Sequence, residues 1–210
     1  MDNQSKELFG QTPWQTVGPF FHYGLPWKGG ADLTGMSELG ARADLMPPEH
    51  YLLREPAARG IVEGEKIEIF GRVLDSDGQP VPDAMIEIWH ADSQGRYYVP
   101  GTGAHFIGFG RAATGNGGGY RFRTILPGRV PGPGNTLQAP HVAVGVFARG
   151  LLKRLVTRIY FPDREGLETD PVLELVPPER RDTLIARREL DGYRFDIALR
   201  GAGETVFFDC

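Results

Sequence analysis

The sequence predicts an all-β sandwich with an irregular N-terminal arm and short peripheral helices. Three observations carry that prediction. From residue 67 onward, short runs rich in Val, Ile, Phe, Tyr and Thr recur with the period-two alternation of half-buried strands. Turn-forming stretches such as "SDGQPVPD" (76–83) and "GNGGG" (115–119) separate them. The 29 glycines and 17 prolines show neither a collagen period nor a low-complexity tract, so they read as turns between many strands.

Each element follows in order. Residues 1–60 lack periodicity and form the arm, with turns or short helices around "MSELGARADL" (36–45). Residues 61–210 form the sandwich core, and 1–210 reads as one domain with no internal repeat. Strands are expected at "IEIFGRVLD" (67–75), "AMIEIWHAD" (84–92), "YRFRTIL" (120–126), "PHVAVGVFA" (140–148) and "RLVTRIYF" (154–161). "PERRDTLIARRE" (178–189) is the clearest helical stretch, with Pro178 suited to a first turn and Leu184 and Ile185 as a narrow apolar stripe. "YRFDIALRG" (193–201) and "TVFFD" (205–209) close the chain as strands.

Composition excludes several classes of function. Apolar and charged fractions of 40% and 24% are those of a soluble globular protein. A net charge of −4 gives no electrostatic footprint for nucleic acid or an anionic membrane. No run approaches the roughly 18–20 apolar residues of a spanning helix. The opening "MDNQSKELFG" lacks a signal-peptide pattern, and Cys210 is the only cysteine, which excludes an intrachain disulfide. A cytoplasmic location is the expectation.

Among five histidines, His22 and His50 lie in irregular segments, His90 sits near a strand end and His105 lies in a glycine-rich loop. Taken singly, each reads as structural or solvated. His141 opens "HVAVGVFARG" and shares a strand face with Ala143, Gly145, Phe147 and Arg149. A second histidine at position 143 would complete a metal-ligand pair, but the residue there is alanine. A buried, hydrogen-bonded core histidine is the competing reading.

A set of ordered motifs goes further. "IFGRVLDSDGQPVPDAMIEIWHADSQGRY" (69–97), "YRFRTILPGRVPG" (120–132) and "APHVAVGVFARG" (139–150) together resemble the intradiol ring-cleavage dioxygenases. The first block alone is less specific, because transthyretin-like binding modules use a similar hairpin. The resemblance implies an intradiol-dioxygenase-like β-sandwich. In that family a catalytic chain holds a non-haem ferric ion, Fe(3+), with two tyrosines and two histidines, a hard donor set for a hard cation. On this sequence Tyr97 and His141 fall on two ligand positions, while Val130 and Ala143 replace the other two. Gly132 and Gln138 stand where the family's pocket has tryptophan and arginine. The resemblance thus implies a vestigial metal site and no catalytic residue in this chain alone.

The opening "TPWQTVGPFF" (12–21) and the ending "YRFDIALRGAGETVFFD" (193–209) resemble one branch of the family, built from two homologous chains as an (αβ)n assembly. That branch implies an α subunit beside a β subunit that binds the Fe(3+). The reaction would be O₂-dependent cleavage of 3,4-dihydroxybenzoate to 3-carboxy-cis,cis-muconate in aromatic catabolism. Thr16, Gly18, Pro19, Phe20 and Arg149 would complete the substrate pocket, with phenylalanine at position 20 where tyrosine is frequent. Arg149 lies eight residues beyond His141, roughly 27 Å along a straight strand, so the two cannot share one small-molecule pocket. Two alternatives remain open on sequence: a self-sufficient intradiol dioxygenase and a non-enzymatic binding module.

Overall fold

The computed structural model describes residues 13–18, 21, 30–37, 39–40, 62–99 and 106–209. Pro19, Phe20, His22, His50, His105 and most of 36–45 lie outside them.

Two sheets enclose the core. In the first, β1 (Lys66–Leu74) pairs antiparallel with β4 (Gly119–Ile125) along one edge. Its other edge pairs in parallel with β10 (Gly192–Arg194) and then with β11 (Ile197–Ala198), and β9 (Arg187–Glu189) extends β10. The second sheet runs β3 (Phe109–Ala113), β2 (Met85–Trp89), β7 (His141–Phe147), β8 (Leu155–Tyr160), all antiparallel. A two-stranded ribbon, β5 (Val130–Pro131) with β6 (Leu137–Gln138), leads into β7. Among the described residues no helix is long and apolar enough to cross a membrane.

Alternation sets what each sheet buries. Ile67, Ile69 and Val73 of β1 meet Phe122 of β4, and face Ile86, Ile88, Val142, Val144, Val146 and Ile159 of the second sheet in one apolar cluster. The odd-numbered residues of β7 therefore point out of the sandwich. His141 and its cross-strand neighbour Tyr160 lie on that outer face, where Tyr160 packs with Ala139, Leu173, Val176 and Leu184 in a second, smaller cluster. The described arm docks on β4: the Leu33 N–H donates to the Arg123 carbonyl at 2.8 Å, and Arg123 N–H returns a bond to Ala31 at 2.9 Å.

Gly71 shows how closely the chain packs beside β1. A Cβ there would lie 1.8 Å from the Phe195 carbonyl oxygen, a backbone atom with little room to give. Gly71→Ala should cost about 3 kcal/mol or more, which urea unfolding would measure as a lower midpoint at unchanged slope.

Three expectations need correction. Residues 178–189 are not one helix: a 3-10 segment spans Pro178–Leu184, Ala186 N–H bonds Tyr160, and Arg187–Glu189 is strand β9. The expected strand 193–201 is two short pieces, because Phe195 and Asp196 leave the ladder between β10 and β11. The run 205–209 is not a strand: it makes an isolated bridge, Phe208 to Val156, and a Thr205 N–H bond to the Ala198 carbonyl.

Candidate functional site

β7 connects two groups of residues, one at each end. The first gathers the vestigial ligand positions on the outer face of the second sheet. Register places Trp89 opposite Ala143 on one side, and Arg158 opposite Ala143 on the other. Directly paired residues project from the same face, so the Arg158 side chain lies over Ala143. Its Nη1 donates to Gln138 Oε1 at 2.7 Å and reaches Tyr160 Oη at 3.3 Å. Gln138 pairs with Val130 across the β5–β6 ribbon and donates from Nε2 to Pro131 at 3.0 Å. Tyr97 comes from the loop after β2, with its ring 6.4 Å from that of Trp89.

Electrostatics binds this group together. The Tyr160 hydroxyl donates to Asp170 Oδ1 at 3.0 Å, and the buried Asp170 carboxylate also accepts the backbone N–H groups of Ala139, Val172 and Leu173. His141 Nδ1 donates to the Ala139 carbonyl at 2.8 Å, which leaves Nε2 as the unprotonated nitrogen. Burial, reinforced by the Arg158 charge, lowers His141 to about 4. Burial raises the Tyr97 phenol, and Arg158 offsets part of that.

A ferric site does not fit these residues. Valine and alanine offer no donor at positions 130 and 143, and the Arg158 guanidinium adds a permanent positive charge beside the two donors that remain. Among the described residues, no group of three or more His, Cys, Asp or Glu side chains could hold a metal ion.

The second group lies at the far end of β7. The strand ends at Phe147, so Arg149 is not a strand residue as its face assignment required; it occupies the turn at 149–150. Its guanidinium pairs with Asp83 at 3.3 Å, and its side chain stays 52% exposed. The arm arrives here: Thr16 Oγ1 accepts the Gly150 N–H at 2.7 Å, and the Phe21 ring lies 5.6 Å from that of Phe147. Gly18 accepts the Phe21 N–H at 3.1 Å through its carbonyl. Thr16, Gly18 and Arg149 are thus brought together, while Pro19 and Phe20 lie outside the described residues.

Sequence reasoning missed Arg158 and Asp170. The signal for Arg158 was a cation inside the apolar run "LVTRIYF", two residues from Tyr160 and hence on its face. Its position over Ala143 needed the cross-strand register.

A family model for dioxygenases matches residues 43–201. With the relatives it resembles, the match makes this chain a member of the intradiol dioxygenase family, whose enzymes depend on Fe(3+). Within that family the chain is 40% identical to the alpha chain of protocatechuate 3,4-dioxygenase from Pseudomonas putida, over 97% of this chain and 98% of that one. It is also 38% identical to the beta chain of the Burkholderia cepacia enzyme, over 77% of this chain and 76% of the other. Among solved structures, the dioxygenase domain of a carbohydrate-binding fusion protein from Streptomyces sp. SirexAA-E aligns at a TM-score of 0.54 and 26% identity, over 73% of this chain and 96% of that one.

Proposed function

We propose that this chain is the non-iron-binding α subunit of a protocatechuate 3,4-dioxygenase. The observation that carries the reading is the outer face of β7, where alanine and an opposing arginine stand at a position that a ligand histidine would need. A homologous β subunit would hold the Fe(3+), in an (αβ)n assembly. The reaction would open the ring of 3,4-dihydroxybenzoate between its hydroxyls, with both atoms of O₂ entering the product 3-carboxy-cis,cis-muconate.

This chain's share of the work lies at the other end of β7. Arg149 and the Thr16–Gly18 arm form one polar corner, held by the Thr16–Gly150 hydrogen bond. Its exposure leaves the guanidinium accessible to a molecule outside this chain. A Cβ at Gly18 would meet nothing within 4 Å among the described residues, so their packing does not demand the glycine. Space for a partner or substrate beside the backbone gives it a reason. The resemblance assigns Pro19 and Phe20, the next two residues in the sequence, to the same pocket.

Metal analysis tests the reading. Expressed alone, the chain should be colourless and essentially iron-free; expressed with its partner, it should co-purify with a chain carrying one iron. One iron per lone chain would end the proposal.

A further inference from the structure

We infer that the Arg158 guanidinium acts as a built-in cation in the vestigial cleft, occupying the space and supplying the charge of a metal ion, so that it excludes metal independently of the missing donors.

The geometry gives the reason. Arg158 projects from β8 over Ala143, the position from which an imidazole would have to reach a metal. Its Nη1 is fixed from two sides, by Gln138 Oε1 at 2.7 Å and Tyr160 Oη at 3.3 Å. Both partners are neutral. Among the described residues no carboxylate lies within salt-bridge distance of this guanidinium, although ten other ion pairs are present. Asp170 is the nearest anion in the network, reached through the Tyr160 hydroxyl and already saturated by three backbone N–H groups. The charge is therefore left for the cleft itself, beside Tyr97 and His141, the two residues at former ligand positions.

The consequence concerns how the site could be rebuilt. Two tyrosinates and two imidazoles bind a cation far less well when a like charge already stands among them. A guanidinium does not lose its proton at any working pH, so its charge persists beside an incoming cation. Restoring the donors is thus insufficient; Arg158 must also go. Its side chain would further stand beside an imidazole introduced across the strand at position 143 and compete for the same space over the sheet.

The inference rests on the reading of this chain as metal-free, and the experiment separates the two. The full chain is prepared unchanged, as Val130→Tyr/Ala143→His, and as that pair combined with either Arg158→Gln or Arg158→Lys. Each is exposed to iron(III) citrate and desalted. Cooperative thermal unfolding checks the fold, and retained iron is measured by elemental analysis and by visible tyrosinate-to-iron absorption. The pair alone should stay iron-poor, and Arg158→Gln should raise bound iron roughly 10- to 100-fold. Arg158→Lys should leave it near the level of the pair. Equal loading with and without Arg158→Gln overturns the inference, whether both are full or both are empty. Equal loading of the Gln and Lys proteins overturns the part played by charge. Val130 is 3% exposed, so a second series leaves it alone: Ala143→His with and without Arg158→Gln, probed with copper(II), must show the same inequality. Iron in the unchanged chain would instead overturn the metal-free reading itself.

Discussion

Replacing Arg149 with alanine should raise KM for protocatechuate in the assembled enzyme by roughly 10- to 150-fold, the worth of a charge-assisted hydrogen bond of about 1.5–3 kcal/mol. Protocatechuate is catechol with a ring carboxylate, and the planar fork of arginine can bind that anion through two hydrogen bonds. Its present partner does not use up this capacity. The Arg149–Asp83 pair is solvent-exposed on both sides, at 52% and 34%, and such pairs contribute about 0–1 kcal/mol. Loss of the pair should therefore leave stability nearly unchanged, so a large kinetic effect cannot be assigned to unfolding. Iron content of the complex should not move, because no ligand is altered. The turnover number should fall less than KM rises if the contact is equal in ground and transition states. Unsubstituted catechol supplies the control: steady-state kinetics on both substrates should show a much smaller loss for catechol. Equal losses would remove the carboxylate role and leave Arg149 as an interface residue.

Acid should weaken the fold well above the carboxylate range. His90 is fully enclosed, with Nδ1 donating to the Ala91 carbonyl at 2.8 Å and Nε2 bonded to Thr124 Oγ1 at 2.7 Å. Burial lowers its pKa to about 4, and His141 is lowered to about 4 for the same first reason. Both rings are neutral in the folded chain at a pH where the unfolded chain, with histidines near the ordinary 6.5, already binds protons. Their contribution is complete above about pH 6.5 and is lost as pH falls toward 4. A depression from 6.5 to about 4 corresponds to about 3 kcal/mol for each ring. Urea unfolding at a series of pH values should show the loss, and His90→Gln should remove about half of the slope. A flat profile between pH 7 and pH 5 would show that neither ring is held neutral.

Legibility in the sequence followed physical cause. β1, β2, β4, β7 and β8 were readable because their β-branched and aromatic residues face a shared core in strict alternation. β3 escaped because "FGRAA" offers one large apolar residue beside glycine, arginine and two alanines; it is a strand because β2 pairs with it. The stretch 178–189 misled because Pro178 and the Leu184–Ile185 stripe satisfy the rules for a helix. Tertiary pairing instead draws Arg187–Glu189 beside β10. At the site, His141 and Ala143 were placed by period alone. Arg149 would share their face only in an unbroken strand, and the strand stops at Phe147. The Thr16–Gly150 contact joins residues 134 positions apart, and no local pattern encodes it.

The position of β1 also bears on how the chain assembles. Among the described residues, one edge of this strand is completed by β10 and β11, parallel segments far along the chain at residues 192–198. Parallel pairing between distant segments carries a large loop-closure cost and forms slowly. During synthesis β1 must therefore wait with an open edge until residues 192–198 have been made, a period in which that edge is free to pair with another chain. Refolding should be slow and concentration-sensitive, and removal of residues 192–210 should yield a chain that aggregates.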